Sequence, residues 1–260
     1  MATDPKKATA KKQVAGKDQK KKADITLPIE LQEGMFFGAV FPAPKNELLG
    51  IIPHEDLSIV EIFPGWGAVA FACFDFTKTS VGPYREFVVA IPVRHKPIID
   101  IPLAPLFMED KFKDYGTWIH IMPNDRQETV DNGVKYWGYN KFPADLAIDI
   151  EDEDLVGTLD ENGENIFTLR VNISGMKLKP ARSEMSTYSV KNSDLLRTTI
   201  PFEGEGAFAG AINRVSLRLG EHRLGRELAA AGVRPEFPIQ RRYFTTWSGL
   251  LPEAQMTIRG

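Results

Sequence analysis

The sequence predicts a mainly β or β-heavy α+β domain, a barrel or sandwich with an interior pocket. Nine or more short runs rich in Val, Ile, Phe and Tyr, bounded by Gly, Pro, Asn and Asp, read as strands against two short helical stretches. The run Gly67 to Phe76 is apolar on both alternating faces, Val69, Phe71 and Cys73 on one and Ala70, Ala72 and Phe74 on the other, as in a central strand. At 260 residues with 43% hydrophobic content, the chain can build one sizeable core, since single cores grow to roughly 250 to 300 residues.

In chain order, Gly34 to Phe41 reads as a first strand ended by Pro42 and Pro44, and Asn46 caps a short helix over Glu47 to Ile52. Leu57 to Phe63 and Gly67 to Phe76 follow as strands, then a turn at Ser80-Val81-Gly82-Pro83. Phe87 to Val93 is strongly strand-like, with Glu86 at its mouth and Pro92 indicating an edge or a bulge. His95 to Phe112, with Pro97, Pro102 and Pro105, reads as an irregular excursion. Thr117 to Met122 resumes the sheet and puts Trp118, His120 and Met122 on one face. There His120 is either a pocket residue or a hydrogen-bonded structural one.

Farther on, Ala144 to Ile150, Gly157 to Leu159 and Ile166 to Ile173 are strands, separated by the acidic turn Glu151 to Asp154 and the hairpin turn Asp160-Glu161-Asn162-Gly163. Those acids lack the alternating ligands and central glycine of a calcium loop and read as solvated turns. Ala207 to Leu219 is a long strand or strand pair, Gly225 to Ala231 a helix closed by Gly232, and Gln240 to Trp247 and Gln255 to Ile258 the last strands. No internal repeat is visible.

Charge divides the chain. Residues 1–22 hold eight lysines against Asp4 and Asp18, a surplus of six, which leaves the remainder at −9 against an overall −3. Residues 1–24 bury too little to offset ordering entropy and are expected to be a disordered Lys-rich tail, with a single domain over 25–260. The tail lacks arginine, aromatics and amphipathic period, so neither a nucleic-acid nor a membrane partner is expected. One cysteine, Cys73, excludes an internal disulfide and sits in an apolar run as packing, and without a signal peptide or an apolar span the expected location is cytoplasmic. There is no phosphate loop, no Gly-x-Ser-x-Gly elbow and no Cys or His pair at metal spacing, so neither metal nor cofactor is expected.

What remains is a lysine, a carboxylate and aromatic rings. Gly133 to Pro143 reads as an extended segment placing Lys135, Trp137, Tyr139 and Lys141 on one face, with Lys141 at a strand end before Pro143 and Gly138 allowing close approach to the backbone. A lysine among Trp137, Tyr139 and Phe142 loses hydration, which disfavours its charged form and frees the amine to attack a carbonyl. The alternative is a surface lysine snorkelling over aromatic rings.

Gly82-Pro83-Tyr84-Arg85-Glu86 leading into Ala90-Ile91-Pro92-Val93, then His120-Ile121-Met122, then Gly133 and Tyr139-Asn140-Lys141, in that order and spacing, resemble the acetoacetate decarboxylase family. The stretch from Gly225 to Pro252 resembles its closing helix, Pro-rich loop and last strands, so the likeness covers most of residues 30–260. It implies a metal-free, cone-shaped β-barrel with few short helices in a homo-oligomer. It also implies that Lys141 condenses with a substrate ketone while Glu86 orients substrate or moves protons, in a family known for such activated lysines. Tyr139, Tyr84, Met122, His120, Phe71 and Phe142 are then the expected substrate-binding residues.

Three positions depart from the family pattern. The second lysine after the reactive one is Phe142, the second pocket glutamate falls on Phe71 with Asp75 nearby, and the first strand has no arginine. The expected function is a Schiff-base lyase acting on a β-keto acid or related ketone. An aldolase, dehydratase or cyclase using the same imine, or a non-catalytic barrel binding an apolar ligand, are the alternatives.

Overall fold

The computed structural model describes residues 25–99 and 101–257; the Lys-rich tail and the expected strand end at Ile258 lie outside the described residues. The first five strands are β1 (Ile29–Pro44), β2 (Leu57–Ile59), β3 (Trp66–Thr79), β4 (Tyr84–His95) and β5 (Tyr115–Ile121). Then come β6 (Asp145–Glu151), β7 (Asp154–Glu161), β8 (Glu164–Asn172), β9 (Lys179–Lys191), β10 (Asp194–Gly210), β11 (Val215–Leu219), β12 (Gln240–Leu251) and β13 (Gln255–Met256). The α-helices are short: α1 (Lys45–Leu49), α2 (Ala104–Phe107), α3 (Gln127–Asn132) and α4 (Arg223–Ala230). None is long and apolar enough to cross a membrane.

Strands β12, β1, β3, β4, β5, β9 and β10 close into a seven-strand barrel, β10 pairing with β12. The barrel is mixed because β5 and β9 run parallel, through the pairs Thr117–Thr187 and Trp118–Tyr188. A second sheet, ordered β11, β8, β7, β6, packs on the outside of β1, β3 and β4. These three strands are therefore buried on both faces, which explains their lack of polar alternation.

Phe36, Phe74, Phe76 and Val88 turn inward, while Phe37, Phe41, Phe71, Cys73, Phe87 and Val89 turn out under the second sheet. Phe71 meets Phe41 and Phe167 edge to face at 5.6 and 5.2 Å between centroids. Phe71→Ala is expected to lower the unfolding free energy by about 3–5 kcal/mol, measurable by denaturant titration, because the joint between the sheets cannot collapse around the void. Cys73 is free and wholly buried, and burial pushes its thiol well above the ordinary range, so it packs and does not react. The second sheet lies close at that point: a Cβ on Gly157 would sit 2.5 Å from Cys73 Sγ.

Several expectations are corrected. The extended reading of Gly133 to Pro143 fails: α3 runs into a wide π-helical turn, Gly133–Trp137, stopped by Gly138 at φ 64°. Val130, Gly133 and Trp137 are buried at helical spacing, and that period wins over the alternation of the aromatics. Lys135 is consequently exposed while Trp137 and Tyr139 are buried. The first helix is Lys45–Leu49, preceded by Pro44 and without a side-chain cap from Asn46. Strand β4 is interior, and the irregularity lies not at Pro92 but where Val89–Ile121 is followed by Ala90–Ile119, leaving His120 as the extra residue of a bulge. Residues 179–205, which the sequence reading assigned to no element, form β9 and most of β10.

Candidate active site

Inside the barrel lies a cavity of about 160 Å³ whose lining includes Lys141, Glu86, Tyr84, Tyr139 and Met122. Lys141 Nζ donates to Glu86 Oε2, with side-chain exposures of 7% and 12%, so both groups are held away from bulk water. The lysine is thus not the snorkelling surface residue of the alternative reading.

Local backbone bonding explains how the two groups meet. Leaving β5, Met122 N–H donates to Asn140 O, Asn124 N–H to Phe142 O and Ala144 N–H to Asn124 O, at 2.9, 3.1 and 3.1 Å. The lysine's segment is therefore laced along the continuation of β5. Phe87 N–H donates to Pro123 O at 3.1 Å, which fixes β4 and its Glu86 on the other side. The wholly buried Asn124 links both: its Nδ2 donates to Glu86 Oε2 at 3.2 Å, and its Oδ1 accepts from Arg126 N–H at 3.3 Å and from Thr129 Oγ1 at 2.5 Å. Those donors to Oδ1 dictate the amide's orientation, so an N–H faces the carboxylate.

The π-helical turn supplies the remaining part. A Cβ on Gly133 would lie 2.7 Å from Lys141 Cε and closer still to Cδ, so the lysine stem crosses bare backbone. Gly133→Ala is expected to keep the fold, because the clash is with a flexible side chain, and to cut turnover about 100-fold by displacing Nζ, as misplacement by roughly 1 Å does. Comparing thermal unfolding with kcat separates the two effects.

The aromatic partners are neutral. Tyr139 hydroxyl and Thr187 Oγ1 are 2.6 Å apart, and burial pushes the phenol up to about 12. Tyr84, its ring centroid 6.0 Å from Lys141 Nζ, is pushed well above its ordinary value by burial and then by the charge of Glu86.

Three expected site residues fall elsewhere. His120 follows Trp118 to the barrel's outside by ordinary alternation, and the bulge there keeps Ile121 outside and returns Met122 to the cavity, so Met122 does not share their face. His120 Nε2 lies 3.3 Å from Glu227 Oε1 on α4, without hydrogen-bond alignment, and burial holds the imidazole below its ordinary value, partly countered by that carboxylate. Phe142 packs against the outer core and does not line the cavity. Phe71 borders the cavity while its ring belongs to the outer core. Nor does Asp75 replace a pocket glutamate: it lies outward, 3.6 Å from Arg85 Nε, and is absent from the lining.

Asn124, Thr129 and Arg242 were not foreseen. Arg242 lines the cavity from β12 and pairs with Glu109 Oε1 at 2.5 Å. The doublet Arg241-Arg242 on an expected strand was an available signal, since neighbouring residues take opposite faces.

The family model for acetoacetate decarboxylase (ADC) matches residues 18–234. No curated protein matches the sequence. Among solved structures, acetoacetate decarboxylase from Legionella pneumophila subsp. pneumophila str. Philadelphia 1 is similar with a TM-score of 0.69 at 16% identity, over 89% of this chain and 87% of that one. The enduracididine biosynthesis enzyme MppR complexed with pyruvate gives 0.64 at 12%, over 91% and 93%. An acetoacetate decarboxylase-like enzyme from Sphingomonas wittichii RW1 gives 0.59 at 10%, over 90% and 94%. At these identities the likeness is one of fold.

Proposed function

Because the chain belongs to the acetoacetate decarboxylase family, we propose that it is a Schiff-base lyase in which Lys141 condenses with a β-keto acid or related ketone. The observation that carries this reading is the buried contact between Lys141 Nζ and Glu86 Oε2 inside an apolar cavity.

Glu86 is positioned to take the proton from Nζ, leaving a lone pair to attack the carbonyl carbon. Loss of water from the carbinolamine gives a protonated imine. In a β-keto acid the electrons of the bond to the carboxylate then flow into that imine, releasing CO₂ and leaving an enamine. Glu86, having given the first proton to the departing water, takes another from solvent and delivers it to the enamine carbon, and water hydrolyses the imine to free Lys141 and the product ketone. The hydrogen bond from Asn124 keeps the carboxylate aimed through these transfers.

A second reaction on the same imine, aldol condensation or dehydration, is favoured by the state of the cations. The lysine and the arginine lining the cavity, Lys141 and Arg242, each already face a carboxylate, Glu86 and Glu109. A substrate carboxylate has to displace one of those partners.

Borohydride added with acetone is expected to leave a reduced adduct on the peptide carrying Lys141, read by mass; an unmodified Lys141 overturns the proposal. Acetoacetate then separates the two reactions: prompt CO₂ release identifies the decarboxylase, and trapping without CO₂ release identifies the aldolase or dehydratase.

A further inference from the structure

We propose that the ketone taken by this site carries, on its carbonyl carbon, an apolar group of about the size of a phenyl ring. The inference rests on Lys141 as the imine-forming amine and concerns the space beside it.

That space is built into the strands. One and two inner positions beyond Glu86, three neighbouring strands carry small residues at matched register, Gly38 opposite Ala72 and Ala70 opposite Ala90. Position 38 cannot be enlarged, because a Cβ there would lie 2.5 Å from the carbonyl oxygen of Phe71. On the other side of Glu86 aromatic rings close the chamber: Phe76 is 4.9 Å from Tyr84, 5.6 Å from Trp247 and 5.5 Å from Phe74, between ring centroids. The result is the cavity of about 160 Å³. An apolar cavity of roughly 150 Å³ accepts benzene. A methyl group would leave most of the wall atoms without a contact.

Two donors point the same way. Trp247 Nε1 and Asn132 Nδ2 are buried N–H groups of lining residues with no partner among the described residues. Asn132 directly precedes Gly133, over whose backbone the Lys141 stem passes. Buried donors are nearly always satisfied, so the ligand supplies the acceptors, an oxygen near the carbonyl carbon and the face of its ring.

The test is a borohydride titration with acetone, butanone and phenylacetone, reading the ketone concentration that half-modifies Lys141. Phenylacetone is expected to act at a concentration at least about tenfold below that of acetone, a modest fraction of what burying six ring carbons provides. Ala90→Leu, which fills the floor, is expected to bring the two ketones together. Trapping of acetone as well as or better than phenylacetone overturns the substrate class and leaves the imine reading standing. A tenfold preference that survives Ala90→Leu overturns the placement of the ring on this floor. Absence of any adduct overturns the imine reading itself, and this inference with it. Should Ala90→Leu not fold, the wild-type series decides alone.

Discussion

Lys141→Arg is expected to reduce turnover to background and to abolish every borohydride adduct, with circular dichroism and the unfolding midpoint close to wild type. Arginine keeps a cation beside Glu86 but has no amine able to form an imine. Lys141→Ala answers a different question. It strands the Glu86 carboxylate, 12% exposed, without its counter-charge, and breaking a buried pair costs about 3–5 kcal/mol. A catalytic loss in the alanine variant alone would therefore confound chemistry with stability, and the arginine variant separates them. Turnover retained by Lys141→Arg would remove the imine from the mechanism.

Glu86→Gln is expected to lower kcat by about 10²–10⁴, the usual weight of a positioned general acid or base, while a slow borohydride adduct on Lys141 persists. The amide preserves the volume and an oxygen for Asn124, so the change falls on proton transfer. The split between a surviving adduct and a failing kcat is the signature. Equal loss of both would mean that Glu86 serves only to place the lysine.

Much of the barrel was legible in the sequence because a strand buried on both faces reads as a continuous apolar run bounded by turn residues. The two apolar faces of the Gly67 to Phe76 run located the central strand, and the resemblance to the acetoacetate decarboxylase family singled out Lys141 and Glu86, whose side chains meet inside the barrel. Where period two breaks, the reading failed. Trp118 and His120 face outward, and a single bulge residue brought Met122 into the barrel instead of leaving it on their face, and no local composition marks such an insertion. The segment before Lys141 carries two compatible periods, and the helical one prevailed because it buries Val130 and Trp137. Arg242 was overlooked for a third reason: its carboxylate partner, Glu109, lies 133 residues away in sequence.

The mixed character of the barrel has a mechanical corollary. Six of its seams are antiparallel, the shortest of them holding six register pairs, whereas β5 and β9 are stitched by two. Tyr115, Thr117, Met185 and Arg242 border the inner chamber along that seam and also an outer groove containing Arg182 and Arg197. Deuterium uptake at the facing edges of β5 and β9 should outpace that of β1 and β3, because only two rungs hold that seam. The wall of the chamber is then a zip fastened everywhere except at one short length, and a molecule too bulky for a fixed aperture meets the least resistance there.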